Sequence, residues 1–308
     1  MQTAIRTSLA LLLSLALGPV ALSPLALSRK SGAEPGELSV LSYNTHGLAA
    51  WVARDDPERR FPAIGELANG YDVVLLQEDF AHHERLRLGT RHPTVRRGNP
   101  SLKPWCPICS GSGLTFLSRW RALEALVNGT YGGCSGWLLG ANDCLADKGF
   151  QIAELRLPGG VAVHFANTHL DAGMGDHDRQ VRGRQLEELA AAIGREVGPG
   201  PLVVGGDFNL DAADPRDRAL LASFSADLGL RDSGARARPG SPWLVLDYLF
   251  FRSGEDVELR VVEAGEDPDF VLRDAPLSDH PAIFARFLVE AGEAREVSGS
   301  STPRRPPE

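Results

Sequence analysis

Five side chains with oxygen donors, Asn44, Glu78, Asp207, Asn209 and Asp279, and two imidazoles, His169 and His280, stand at or just beyond the ends of short apolar runs. Carboxylates and amide oxygens are the ligands that Mg²⁺ or Mn²⁺ prefer, whereas thiolates and imidazole clusters would point to zinc. Imidazoles exchange protons near neutral pH. A hard cation on a phosphate oxygen, a base for water and donors for developing charge are what hydrolysis at phosphorus requires. Singly, each residue has a plainer reading: Asn44 as a turn residue after a strand, His169 as a satisfied core histidine, Asp247 as a buried acid paired with an arginine. Their joint placement is what points to chemistry.

That placement depends on strands. Apolar runs at 38–43, 72–76, 161–166, 202–204, 243–251 and 283–288 read as buried strands, and residues 151–157 alternate as a half-buried strand should. The first run ends at Asn44 and the second at Gln77-Glu78. The third ends at Asn167-Thr168-His169 and the fourth at Gly205-Gly206-Asp207-Phe208-Asn209. Leu186, Leu189, Ile193 and Val197 recur at helical spacing, as do Leu220, Leu221, Phe224 and Leu228. Strands dominate with helices between some of them, so the expected class is α/β with substantial sheet. His82, His83, His92 and His177 read as exposed loop residues, and Asp171 and Asp176 as loop carboxylates.

The segments Leu41-Ser42-Tyr43-Asn44-Thr45-His46-Gly47, Leu76-Gln77-Glu78, Asn167-Thr168-His169-Leu170, Gly205-Gly206-Asp207-Phe208-Asn209, Leu246-Asp247-Tyr248 and Ser278-Asp279-His280-Pro281 resemble the motifs of the endonuclease/exonuclease/phosphatase superfamily, in that family's order. The resemblance implies a four-layer sandwich, two mixed β-sheets packed face to face with helices outside, and a divalent-metal site at the sheet edges. It implies that Glu78 is the principal metal ligand, with Asn44 beside it and Asp279 completing that side. It makes His280 the general base or the group facing charge at the scissile phosphate, its ring held by Asp247. Asp207 would orient or deprotonate the attacking water, and Asn209 and His169 would donate to phosphoryl oxygens. The implied reaction is in-line attack of water on phosphorus.

The length of 308 residues accommodates one large α/β domain, here placed at residues 38–289. Residues 1–28, with Arg6, an apolar run from Leu9 to Leu17 and small residues up to Ser28, have the layout of a secretory signal peptide. The run is short for a membrane anchor, the alternative reading. Residues 29–37 form a polar lead and 290–308 a Pro-rich tail without periodicity, both expected to be disordered. Export makes the expected location secreted or periplasmic, and the mature protein an expected monomer without an obligate protein partner. Cys106, Cys109, Cys134 and Cys144 then read as two disulfides, with three pairings open; a redox motif at 106–109 and a zinc site are the weaker readings.

The substrate is expected to be a phosphodiester, either a sphingomyelin-type phospholipid or nucleic acid. Asp143-Cys144-Leu145-Ala146-Asp147-Lys148-Gly149-Phe150 is similar to a segment of the secreted neutral sphingomyelinase branch, which makes Lys148 a candidate phosphate contact. The interval from Asn209 to Asp247 departs from bacterial sphingomyelinases in being too short for a long apolar hairpin. A secreted deoxyribonuclease is the rival, with Arg85, Arg87, Arg91, Arg96 and Arg97 as candidate phosphate contacts. The formal charge of -8 excludes a broadly basic nucleic-acid surface. A catalytically silent binding module on the same fold would have lost site residues, and none is lost.

Overall fold

The computed structural model describes residues 36–291 except 54, 122, 138–141, 240 and 242. The signal-peptide reading, most of the lead and most of the tail fall outside the described residues. The strands are β1 (Gly36–Asn44), β2 (Val73–Gln77), β3 (Thr94–Arg97), β4 (Thr115–Ser118), β5 (Leu123–Thr130), β6 (Gly149–Arg156), β7 (Ala162–His169), β8 (Leu202–Asp207), β9 (Arg231–Asp232), β10 (Asp247–Arg252), β11 (Val257–Glu266), β12 (Val271–Leu272), β13 (Ala275–Pro276) and β14 (Ile283–Ala291). The helices are α1 (Ala50–Ala53), α2 (Pro57–Ala68), α3 (His83–Gly89), α4 (Asp176–Glu196) and α5 (Pro215–Leu228).

Two six-stranded sheets run in the orders β11-β14-β1-β2-β4-β3 and β5-β6-β7-β8-β10-β9. Both are mixed, because β1 pairs with β2 and β7 with β8 in parallel while their other neighbours are antiparallel. Leu38, Val40, Val73, Leu75 and Phe116 of the first sheet meet Ala153, Phe165, Val203 and Leu249 of the second in one core. The outer face of the second sheet packs Phe208, Val204 and Ala166 against Leu186, Leu189 and Ile193 of α4 and Phe224 of α5. The outer face of the first packs Leu41, Val74 and Leu76 against Phe61 and Ile64 of α2 and Leu86 of α3. The result is the four-layer sandwich that the family resemblance implies.

Local chemistry explains several boundaries. Asp214 caps α5 by accepting from the Arg216 amide, Pro215 opens it, and Gly229 closes it in the left-handed region at φ 64°. The run at 243–251 shortens to β10, because Leu244 lies in an exposed loop before Asp247. The strand expected as half-buried, β6, is buried on both faces over residues 149–153, since its polar Gln151 points into a buried amide cluster. His83 and His92, read as exposed loop residues, are both buried. His83 lies in α3 and pairs through Nδ1 with Asp79 Oδ2 at 2.5 Å, and His92 Nε2 meets the Tyr71 carbonyl at 2.9 Å. Asp171, read as a loop carboxylate, is fully buried and accepts from Ser135 N and Gln185 Nε2. Between Asn209 and Asp247 the described residues hold α5 and β9, and no long hairpin.

Candidate active site

Pairing register collects the predicted residues at one sheet edge. Asp207, the last residue of β8, lies opposite His169 of β7 on one side and Asp247 of β10 on the other. Asn44 closes β1 opposite Gln77 of β2, which puts Glu78 one residue beyond. The two sheets are stitched there by buried amides. Gln77 Nε2 donates to Asn167 Oδ1 at 2.8 Å, and Asn167 Nδ2 donates to the Leu76 carbonyl at 3.0 Å. These bonds fix the spacing between the strand end that carries Glu78 and the one that carries His169. Gly206 permits the approach of β7 and β8, because a Cβ there would stand 2.0 Å from the Thr168 carbonyl oxygen. Glu78 takes φ 55°, a left-handed conformation that costs roughly 1–2 kcal/mol in a non-glycine residue. The sharp turn aims its carboxylate back across the edge.

Asn44 Oδ1 accepts from the His46 amide, so its Nδ2 faces carboxylates, Glu78 Oε1 at 3.2 Å and Asp207 Oδ2 at 3.0 Å. His280 Nδ1 meets Asp247 Oδ2 at 2.9 Å, and its Nε2 stands 3.7 Å from Asp207 Oδ2. Burial alone would lower the His280 pKa, but Asp247 and Asp207 more than offset this and raise it to about 11. Burial pushes Asp247 up to about 6 against the opposing pull of His280. Asp207, although burial opposes its charge, is held well below the usual carboxylate range by His280 and His169. Two carboxylates thus flank the His280 ring and favour its protonated form.

Lys148 is buried and makes three contacts: Asp143 Oδ1 at 2.6 Å, His169 Nε2 at 3.0 Å and the Leu170 carbonyl at 2.8 Å. Asn209, at φ 51°, gives its amide N–H to Asp207 Oδ1 and its Nδ2 to the Leu170 carbonyl. Asp279 lies beside His46. Its Oδ2 pairs with His46 Nδ1 at 3.1 Å, and its side chain is 56% exposed at the rim.

Asp143, His46, Ser278 and Arg60 were not singled out from sequence. Ser278 Oγ donates to the Asn44 carbonyl at 2.6 Å, docking the segment that carries His280 onto β1. Arg60 of α2 is buried and donates to the Thr45, His46 and Leu277 carbonyls, tying the same two segments together. An arginine inside a helix gives no sequence signal for such a role. Removing the ammonium in Lys148→Met leaves Asp143 buried without its partner, and we expect a loss of about 3–5 kcal/mol of stability. Urea unfolding checks this, and Lys148→Met combined with Asp143→Leu should recover part of the loss.

The donor set suits a hard divalent cation. Asp207 lies between Glu78, with which it shares the Asn44 amide, and Asp247, its strand neighbour, and no lysine or arginine forms an ion pair with any of the three among the described residues. One buried oxygen of Asp247, Oδ1, has no hydrogen-bond partner. Ligand atoms of Asp207, Asp247 and His280 lie within 4.8 Å of one another. Glu78 Oε1 and Asp207 Oδ2 share the Asn44 amide, which sets the Glu78 carboxylate beside that group.

The profile of the endonuclease/exonuclease/phosphatase family matches residues 41–280. The chain is 32% identical over 267 residues to a sphingomyelinase of Mycobacterium tuberculosis, across 80% of this chain and 52% of that protein. It therefore spans about half the length of the sphingomyelinases it matches. The crystal structure of sphingomyelinase C from Streptomyces griseocarneus superposes with a TM-score of 0.62 at 22% identity, covering 82% of this chain and 99% of that one. Beta toxin from Staphylococcus aureus, in a mutant with bound magnesium ions, gives 0.62 at 17% identity, covering 81% and 99%. The two structural likenesses speak to the fold. With the profile spanning every strand end described above, the chain belongs to the endonuclease/exonuclease/phosphatase family.

Proposed function

We propose that the protein is an exported, divalent-cation-dependent phosphodiesterase that cleaves a sphingomyelin-type phospholipid by in-line attack of water on phosphorus. The observation that carries the reaction type is the buried line Asp247, His280, Asp207, set against the Glu78 and Asn44 pair. Glu78, with Asp207 and Asn44 beside it, would hold Mg²⁺ or Mn²⁺, which supplies Lewis-acid charge to a phosphoryl oxygen. Asp207 would orient the attacking water or take its proton. His280, protonated and oriented by Asp247, faces the charge that builds on the phosphoryl oxygens. Lys148, held beside His169, adds positive charge to the same space. Asp279 serves as a rim carboxylate able to swing from His46 towards the cation.

The lipid reading is supported by the likeness to a sphingomyelinase over 80% of the chain and by the seating of Lys148 in the site. Of the arginines near Glu78, Arg85 pairs with Glu58 and Arg97 donates to the Asp79 and Phe80 carbonyls, while Arg87, Arg91 and Arg96 are exposed, so nucleic acid is the rival substrate in the test below. Two disulfides, Cys106–Cys109 and Cys134–Cys144, accord with an oxidising compartment. The expected state is a monomer. The test is a panel of sphingomyelin vesicles, phosphatidylcholine vesicles, plasmid DNA, RNA and a phosphomonoester, each with Mg²⁺ and with EDTA. Turnover of sphingomyelin is expected, and EDTA should abolish it. Cleavage of DNA without cleavage of sphingomyelin would reassign the substrate, and full activity in EDTA would remove the cation from the reaction.

A further inference from the structure

Two loops rise from the sheet edge that carries the site. β3 ends at Arg97 opposite Thr115, where β4 starts, and Thr115 lies opposite Leu76 near the end of β2. β5 ends at Thr130 opposite Gly149, where β6 starts, and Phe150 lies opposite Thr168 near the end of β7. The loops at 98–114 and 131–148 therefore emerge beside Glu78 and His169. Each is closed on itself by one disulfide, Cys106–Cys109 in the first and Cys134–Cys144 in the second. They are also tied to each other. The Ser110 amide donates to the Leu145 carbonyl at 2.8 Å and the Leu102 amide to Asp147 Oδ2 at 2.6 Å, while Lys103 Nζ pairs with Asp147 Oδ1. Asp147 directly precedes Lys148 of the site.

Out of this clamp project Leu102, Trp105, Ile108 and Trp137, between 46% and 71% exposed. The Trp105 and Trp137 rings stack with centroids 6.0 Å apart, and the Lys103 ammonium lies 5.8 Å from the Trp137 centroid. Large apolar side chains grouped in water on two tied loops, with a stacked tryptophan pair among them, mark an interaction surface. Tryptophan favours the boundary between headgroups and acyl chains, where the indole body is buried and its N–H stays near polar groups.

We propose that this double-tryptophan platform is the face by which the protein docks on a lipid bilayer, presenting the site edge to the membrane surface. The proposal rests on the phospholipid reading above, since a substrate embedded in a bilayer must reach the site from that edge. The cross-tied, disulfide-closed loops preorganise the four side chains, so little ordering accompanies insertion. A chain with a formal charge of -8 gains nothing from an anionic surface. Docking is accordingly apolar, directed to zwitterionic sphingomyelin and phosphatidylcholine, and insensitive to salt beyond the first Debye length.

The test compares the wild-type protein with the double variant Trp105→Ala/Trp137→Ala, both exposed positions outside the catalytic group. Sedimentation with sphingomyelin/phosphatidylcholine vesicles in EDTA reads docking without turnover. Hydrolysis of vesicle sphingomyelin and of a water-soluble p-nitrophenyl phosphodiester, both with Mg²⁺, reads activity. The double variant should lose at least about tenfold in vesicle binding and in vesicle turnover at low lipid. Its rate on the soluble diester should match the wild type, and wild-type binding should persist at high salt. Equal vesicle binding by the two proteins overturns the docking face, as does an equal loss on soluble and vesicle substrates. Wild-type dimerisation that the double variant abolishes, without vesicle binding, gives the patch to a second copy and overturns it too. If the wild type binds vesicles through the tryptophans yet leaves sphingomyelin intact while cleaving the soluble diester, the docking face stands and the substrate reading falls.

Discussion

Replacing His280 by alanine is expected to lower turnover of any phosphodiester substrate by about 10³-fold, the range typical for loss of a positioned proton-exchanging group. The cause is specific to the geometry. The ring is the cation between Asp247 and Asp207, and without it two buried carboxylates face each other across the space where phosphoryl charge must build. The fold should persist, because the His280 ring sits at the edge and the core beneath it is aliphatic and aromatic. Asp247→Asn is expected to cost less, since the amide retains an oxygen that can accept from Nδ1–H while losing the charge that stabilises the imidazolium. Asp207→Asn should be as damaging as His280→Ala if the water's proton goes to Asp207. Steady-state rates of the three variants, with circular dichroism to confirm folding, check the assignment. Near wild-type rates in Asp207→Asn would move the base from Asp207 to His280, and full activity in His280→Ala would sink the site.

The strands that matter most were the easiest to read, for a physical reason. β1, β2 and β8 are buried on both faces along nearly their whole length, so they appear as unbroken apolar runs and their polar ends stand out. α4 and α5 show their buried faces at intervals of three and four. The unread elements lack those signals. β5 and β11 are edge strands with polar, half-exposed residues, and β4 is four residues long. α2 carries Pro62 inside it and buries Arg60, which blurs its apolar face. At the site, the residue types were legible, but the contacts that make them work are long-range. The meeting of Lys148 with Asp143 and His169, and the pairing of Asp279 with His46, depend on loops with no periodicity. Gln77 and Asn167 read as strand-end polar residues, and only the packing of two sheets reveals them as the stitch between strand ends.

Stability of the metal-free protein should fall as pH rises from about 7 towards 11, and His280 sets the sign. In the unfolded chain a histidine titrates near 6.5, whereas in the folded protein Asp247 and Asp207 hold His280 protonated to about 11. Between those values the native state binds one more proton than the unfolded state. The stabilisation is fully present below the unfolded pKa and is lost as pH climbs through the folded one, with a slope of up to about 1.4 kcal/mol per pH unit. Asp247 acts lower on the scale. Its pKa, raised by burial to about 6, makes the folded state bind its proton more tightly, so its contribution also declines with rising pH, between the ordinary carboxylate range and 6. Above that it is ionised in both states and adds no slope. Urea unfolding in EDTA at pH 7, 8, 9 and 10 should therefore show a steeper decline for the wild type than for His280→Gln, with the other titrating groups common to both. Parallel declines would show that His280 is neutral through this range. A divalent cation bound beside Asp207 would add positive charge there and lower the pKa of His280, so Mg²⁺ should flatten the wild-type slope and leave that of His280→Gln nearly unchanged. Failure of Mg²⁺ to change the slope would separate the cation from the Asp207–His280 pair and place its binding elsewhere on the edge.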